Sequence, residues 1–220
     1  MAASGGAGPV RVGASGGGRA REGAAVARTV LYLVRHGEPA PSGADPGLSA
    51  RGQRQARQLG RRLRGVPFAA VHHGPSARTR ETADALLREA PELAAHACPL
   101  AADRTPWPFP AEAADLTPAH RRFLAGVPER ERDEGAAGLR AAVDRLGRVD
   151  AADRYELVVT HNFVIGWFVR HVLDAPDWRW FGLDQAHAAL TVVAWRDAAP
   201  PTLVAFNDTG HLGDGGGPGY

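Results

Sequence analysis

Lysine is absent from this 220-residue chain, so its 26 basic side chains are all arginine. Set against 24 acidic residues they leave a formal charge of +2. That narrow excess excludes a strongly basic surface, and arginines interleaved with aromatics, the usual mark of a nucleic-acid binder, are missing. The one cysteine, Cys98, excludes an internal disulfide and speaks against a thiolate metal cluster. No apolar run approaches the ~20 residues that a membrane-spanning helix needs. Near the start there is no continuous apolar stretch of the kind a secretory signal carries. The lack of lysine beside abundant Ala, Gly and Arg is read as the composition of a GC-rich, bacterial genome, with cytoplasmic residence expected.

What is present is unevenly spread. Residues 1–27 are Gly, Ala and Ser with scattered Arg, too poor in apolar side chains to offset the entropy of ordering, and are expected to be disordered. Their glycine content argues against the amphipathic helix of a transit peptide. Residues 28–213 are expected to form one domain with a single sizeable core, and residues 214–220 a flexible tail.

Thr29 to Val34 is β-rich and apolar on both faces, as in a buried strand. After a loop rich in Pro, Gly and Ser, Ser49 is a plausible cap for a helix running to about Arg64 with Leu59 and Leu63 inward. Its arginines (51, 54, 57, 61, 62 and 64) read as a solvated face. Phe68 to Val71 reads as a strand and Ala77 to Arg88 as a helix. Residues 101–117, with Pro106, Pro108 and Pro110 beside Trp107 and Phe109, read as a long loop or lid. Helices are expected at Pro118–Ala125, Glu134–Arg148 and Asn162–Leu173, and strands at Tyr155–Thr160, Ala188–Trp195 and Thr202–Phe206. The alternation gives an α/β domain, a three-layer α/β/α sandwich with a mostly parallel central sheet.

Two histidines occupy equivalent places: His36 and His161 each follow a buried strand, where ligands bind in open α/β sheets. If those strands are neighbours, both imidazoles share one crevice. Arg35 adds a guanidinium fork suited to a phosphoryl dianion. A further arginine, Arg78 or Arg80, comes from a strand-to-helix turn whose amides also favour an anion. A neutral imidazole can attack phosphorus in line while its other ring nitrogen donates to an acceptor. Arginines and a protonated second histidine offset the charge on the equatorial oxygens, and a carboxylic acid protonates the leaving alkoxide. No metal-ligand spacing is seen and no cofactor is expected. His72-His73 suggests zinc only superficially, because adjacent strand residues point to opposite faces.

The ordered series Leu33-Val34-Arg35-His36-Gly37-Glu38, Leu48-Ser49-x-x-Gly52-x-x-Gln55-Ala56, Arg78-x-x-x-Thr82-Ala83, Val158-Val159-Thr160-His161 and Asn207-Asp208-Thr209-Gly210-His211-Leu212 resembles the histidine phosphatase (phosphoglycerate-mutase-like) superfamily. The resemblance implies that His36 is transiently phosphorylated and that Arg35, Arg78 and His161 hold the phosphoryl oxygens, with Asn162 a further phosphate-binding candidate. By position Asp103 is the implied proton donor, and Glu112 the reserve. Gly74-Pro75 stands where a Ser-Pro pair is usual, and the Glu-Gly-rich signature of the mutases is missing. Glu38 is expected to bond either within the site or only with its loop, and His211 to line the pocket or close the C-terminal segment. Trp178 and Trp180, near Phe181, are expected to pack on the core.

Metal-independent phosphomonoester hydrolysis through a phosphohistidine is therefore the expected function. The alternatives are mutase-type phosphoryl transfer and an inactive phospho-ligand-binding module. A small phosphorylated metabolite is the expected partner. A phosphoprotein is the second candidate, because Asp153-x-Tyr155-Glu156 leading into His161-Asn162 is similar to a serine/threonine-directed family member. Neither a nucleic-acid nor a membrane partner is expected, and the oligomeric state stays open.

Overall fold

The computed structural model describes residues 26–109 and 116–213. The expected disordered segment up to residue 25, the C-terminal tail and Glu112 lie outside the described residues. In chain order the elements are β1 (Arg28–Arg35), α1 (Ala50–Leu63), β2 (Ala70–His73), α2 (Ala77–Leu87), β3 (Ala95–Ala97), β4 (Thr105–Trp107), α3 (Pro118–Ala125), β5 (Arg132–Glu134), α4 (Ala137–Leu146), β6 (Arg154–Thr160), α5 (Asn162–Val172), β7 (Leu190–Arg196) and β8 (Ala199–Asp208).

Six strands form one sheet in the order β3-β2-β6-β1-β7-β8. From β3 to β1 the neighbours run parallel, and β7 and β8 continue the sheet antiparallel. The period-2 alternation of side chains divides the core in two. Val30 and Val34 of β1, Leu157 and Val159 of β6, and Leu190 and Val192 of β7 pack with Leu59, Leu63 and Leu86 of α1 and α2. Leu31, Leu33, Val158 and Val193 point the other way, onto Leu139, Ile165, Trp167 and Phe168 of α4 and α5. Strands apolar on both faces are what a sheet covered on both sides requires. Truncating a fully buried residue such as Leu33 to Ala costs about 2–5 kcal/mol by cavity formation.

Ser49 caps α1 by accepting from Gly52 N at 3.0 Å, a contribution of about 1 kcal/mol. The arginines of α1 lie on its exposed or half-buried side. Arg62 reaches Asp208 of β8, while Arg61 and Arg64 reach Glu89 beyond α2.

Several boundaries differ from the sequence expectation. The region read as a long loop holds β4, which pairs in parallel with β5 as a separate two-stranded unit. Three-residue strands carry too little periodicity to be read. The strand expected at Phe68 begins two residues later at Ala70, and Phe68 instead packs edge-on to Tyr32 at 5.1 Å. α4 starts at Ala137, because Gly135 and Ala136 are both left-handed. The buried Asp133 caps it from upstream, its carboxylate accepting from Gly138 N at 2.9 Å and Leu139 N at 2.8 Å.

Candidate active site

β1 and β6 are parallel neighbours with Arg35 opposite Thr160. His36 and His161 are the next residue on each strand, so they emerge side by side at the carboxyl edge of the sheet. The His36 amide donates to Thr160 O at 3.0 Å, and the two rings lie 5.2 Å apart, centroid to centroid.

His36 is 7% exposed. Burial first, then the charge of His161, pushes its pKa well below 6.5, so the ring is neutral near pH 7. Its Nδ1 lies 2.9 Å from Gly37 O. A carbonyl only accepts, so the proton sits on Nδ1 and Nε2 carries the lone pair.

The loop that presents His36 is clamped to α1 and α2. Gly37 N donates to Thr82 Oγ1 at 3.0 Å, and Glu38 N to Gln55 Oε1 at 2.9 Å. A Cβ on Gly52 would lie 2.2 Å from Glu38 O, and one on Gly37 2.8 Å from Gly52 O. Both glycines are therefore fixed by backbone-on-backbone contact. Glu38 accepts from Ser49 Oγ at 2.6 Å and pairs with Arg51 at 3.4 Å. Its role lies in tying the loop to α1.

Of the two arginines left open on α2, Arg78 is the one in the site, and Arg80 is exposed. Arg78 Nη2 donates to Asp103 Oδ2 at 2.9 Å and lies 3.4 Å from His161 Nδ1. The same Asp103 oxygen is 3.1 Å from His161 Nδ1. Asp103 is brought there by a short 3-10 turn, Pro99–Ala101, whose last carbonyl accepts from Thr160 Oγ1 at 2.9 Å. Gly74 permits the approach, since a Cβ there would sit 2.4 Å from Ala101 O. The Gly-Pro departure thus has a packing reason. Burial raises the Asp103 pKa, but the His161 hydrogen bond together with the charges of His161 and Arg78 outweighs it, and the carboxyl ends below its ordinary value. Glu131 lies within electrostatic reach, its own pKa raised by burial and then by Asp103.

Arg35 projects under the loop 183–185, donates to Gln185 O and lies 3.6 Å from Asp184. Asn162 Oδ1 accepts from Gln185 N at 2.9 Å, so Asn162 anchors that loop. Two nitrogens in this cluster, Arg35 Nε and His161 Nε2, are buried without a protein partner.

The sequence reading missed the segment before β7. His187 lies 5.5 Å from His36, centroid to centroid, and burial followed by the Arg35 charge lowers its pKa to about 4. A polar Asp184-Gln185-x-His187 run just ahead of a buried strand was the available signal. Trp180 is fully buried as expected, but Trp178 and Phe181 line a cavity of about 680 Å³ that opens from Arg35, His36, Asp103 and His161. His211 lies instead in a separate groove with Gln58, Arg61 and Arg62, where it closes the C-terminal segment. His72 sits 3.7 Å from Glu156, and His73 Nδ1 bonds Gly74 O at 2.7 Å. Among the described residues no group of three or more His, Cys, Asp or Glu side chains is placed to hold a metal ion, and no helix is long and apolar enough to cross a membrane.

The histidines predict an acid weakness. His36, His72, His171, His187 and His211 all have pKa values lowered chiefly by burial. The unfolded chain therefore binds more protons below about pH 6.5. Stability is full above that pH and falls as pH drops through the window toward about 4, where His187 titrates in the fold. The lowered pKa values of Asp103 and Asp208 add their loss only below their ordinary values near 3.8. Thermal melts from pH 7.5 to 4.5 should show Tm dropping mainly below 6.5; a flat profile over that range would contradict the buried neutral imidazoles.

A mostly parallel sheet whose carboxyl edge gathers two imidazoles, two guanidiniums and a carboxylate defines an α/β protein with a site suited to an oxyanion. The chain belongs to the histidine phosphatase superfamily (branch 1), which it matches over residues 31–209. It is 27% identical over 191 residues to the mitochondrial serine/threonine-protein phosphatase Pgam5 of Caenorhabditis briggsae, covering 86% of this chain and 66% of that one. With the Drosophila melanogaster protein of the same name it shares 28% identity over 194 residues, 84% of this chain and 63% of that one. The matched stretch thus spans just under two thirds of those relatives. In fold it is similar to a mycobacterial glucosyl-3-phosphoglycerate phosphatase (TM-score 0.61, 20% identity, 82% of this chain and 99% of that one). It is also similar to a Bacillus anthracis phosphoglycerate mutase (TM-score 0.62, 19% identity, 85% and 96%). The family and these relatives support phosphatase or phosphoryl-transfer chemistry.

Proposed function

We propose that the protein hydrolyses phosphomonoesters without a metal, through a phosphohistidine on His36. One observation carries this reading: a buried, neutral His36 with its Nε2 lone pair free stands beside Arg35, Arg78, His161 and Asp103.

In the first step Nε2 of His36 attacks phosphorus in line. The N–P bond forms as the ester P–O bond breaks, and Gly37 O holds the Nδ1 proton as the ring gains positive charge. Arg35, Arg78 and His161 offset the charge on the equatorial oxygens, the largest single source of rate in such sites. The partnerless nitrogens of Arg35 and His161 support an oxyanion acceptor there.

Asp103 serves as the acid. In the free protein it is ionised and occupies Arg78 and His161, the groups that lower its pKa. A phosphoryl dianion that takes over those groups removes that support and adds a like charge, so the carboxyl rises and takes up a proton. It gives that proton to the leaving alkoxide. The resulting carboxylate then removes a proton from the water that cleaves the N–P bond, which restores His36 and releases phosphate.

A small phosphorylated molecule is the favoured substrate, since a cavity of about 680 Å³ suits a ligand of that size. Two of the solved neighbours are structures of a phosphoserine phosphatase from Entamoeba histolytica, in complex with phosphoserine and with 3-phosphoglyceric acid. The relatives' names favour a phosphoprotein. The local likeness at Asp153 and Tyr155 adds nothing to that, because both pair with Arg28 at the far end of β6 from His161. A cytoplasmic, bacterial setting rests on composition alone.

The test is p-nitrophenyl phosphate turnover from pH 5 to 8 with excess chelator. Turnover equal with and without chelator is expected. Folded protein that is silent on this ester but isomerises 3-phosphoglycerate when primed with a bisphosphate would replace hydrolysis by the mutase reading.

A further inference from the structure

The cavity is chemically two-ended. Its inner end holds Arg35, His36, His161 and Asp103, while the outer walls include Leu116, Phe123, Phe163, Trp178 and Phe181. The rings are braced rather than loose. Phe163 and Phe181 stand edge-on to the fully buried Trp180, with centroids at 4.7 and 5.4 Å. Phe123, on α3, closes against both at 5.7 and 6.4 Å and yet is 50% exposed. A half-exposed phenyl ring leaning over two braced ones leaves an apolar face open to whatever fills the cavity.

Charge is sparse among the described residues at this outer end. Among the described lining residues the formal charges beyond the inner cluster are Arg179 and Asp184. Asp184 is engaged with Arg35 at 3.6 Å, and the Arg179 guanidinium lies 4.9 Å from the Trp178 ring centroid. A substrate with a second phosphate or a carboxylate would need several cations here, and among the described lining residues it meets one guanidinium, Arg179, and one imidazole, His120, which stands edge-on to Phe181 at 5.0 Å. A flat apolar group would bury its surface against three rings.

We infer that this cavity selects phosphomonoesters whose alcohol portion is a flat, apolar or aromatic group, as free small molecules, over small polyanionic metabolites. The inference rests on the phosphatase reading and specifies its substrate class.

The comparison must hold the leaving group constant, because phenols leave more readily than alkyl alcohols whatever the pocket does. Benzyl phosphate and ethyl phosphate both release alkyl alcohols and differ in the ring. With native protein, kcat/KM for benzyl phosphate should exceed that for ethyl phosphate and for 3-phosphoglycerate by tenfold or more. Phe123→Ala, chosen because that side chain is half exposed and its loss spares the core, should bring the benzyl-to-ethyl ratio down at least threefold. Phe123→Trp should retain the ratio.

Equal kcat/KM for the benzyl and ethyl esters, or a preference for 3-phosphoglycerate, would overturn the selectivity while leaving the phosphatase reading standing. So would a phosphotyrosine peptide turned over tenfold better than free phosphotyrosine, since the ring would then belong to a protein. Absence of turnover on every ester would overturn both readings together.

Discussion

His36→Ala should lower phosphomonoester turnover by about 10⁴-fold or more, since removing a nucleophile removes the covalent route altogether. The effect is expected to be one of chemistry and not of unfolding. The imidazole is buried, but its protein hydrogen bond is a local one, to its own neighbour Gly37. The loop around it is held by backbone contacts to Thr82 and Gln55 that the substitution leaves in place. Circular dichroism and melting should therefore remain close to native. Native protein quenched during turnover of a ³²P-labelled ester should carry a label that is stable in base and lost in acid, and His36→Ala should carry none. A folded His36→Ala protein that retained both turnover and the label would move the nucleophile elsewhere, with His187, 5.5 Å from His36 between ring centroids, the first alternative.

Asp103→Asn should act in two opposite directions. As the loss of a general acid it should lower kcat by about 10²–10⁴-fold on alkyl phosphates. The loss should be much smaller on p-nitrophenyl phosphate, whose leaving group departs without a proton. At the same time the substitution removes a negative charge that occupies Arg78 Nη2 at 2.9 Å and His161 Nδ1 at 3.1 Å. Inorganic phosphate, which competes for those groups, should therefore inhibit the variant at lower concentration than it inhibits native protein. A purely structural aspartate predicts equal losses on both esters and no tightening of phosphate inhibition. If the alkyl esters lose nothing, the acid is another carboxyl. Glu112, in the same insert, and Glu131, whose pKa is already raised by burial and by Asp103, are the two to replace next.

The site and fold were unequally legible in the sequence. β1, α1, α2, α3, β6 and α5 each carry a long apolar pattern or a cap, such as Ser49 ahead of Ala50, and their placement followed from it. β3, β4 and β5 are three residues each, held by their neighbours and not by their own pattern. Gln55 and Thr82 belong to the recurring motif, but what they do, accepting from Glu38 N and Gly37 N across 17 and 45 residues, is visible only once α1 and α2 are packed together.

The sequence by itself determined the chemical inventory: two histidines at the ends of two buried strands, an arginine before the first, and another at a helix start. Local chemistry and hydrophobic periodicity act over a few residues, so one chain records them directly. Tertiary structure decided the rest, because it depends on which surfaces meet. It made β1 and β6 neighbours, chose Arg78 over Arg80, turned Glu38 toward Ser49, and set Asp103 against Arg78 and His161. It brought His187 to His36, and it drew Phe123, Phe163 and Phe181 from three separate segments into one apolar wall. Those contacts join residues up to 151 positions apart in the case of His36 and His187, and no local pattern encodes such a distance.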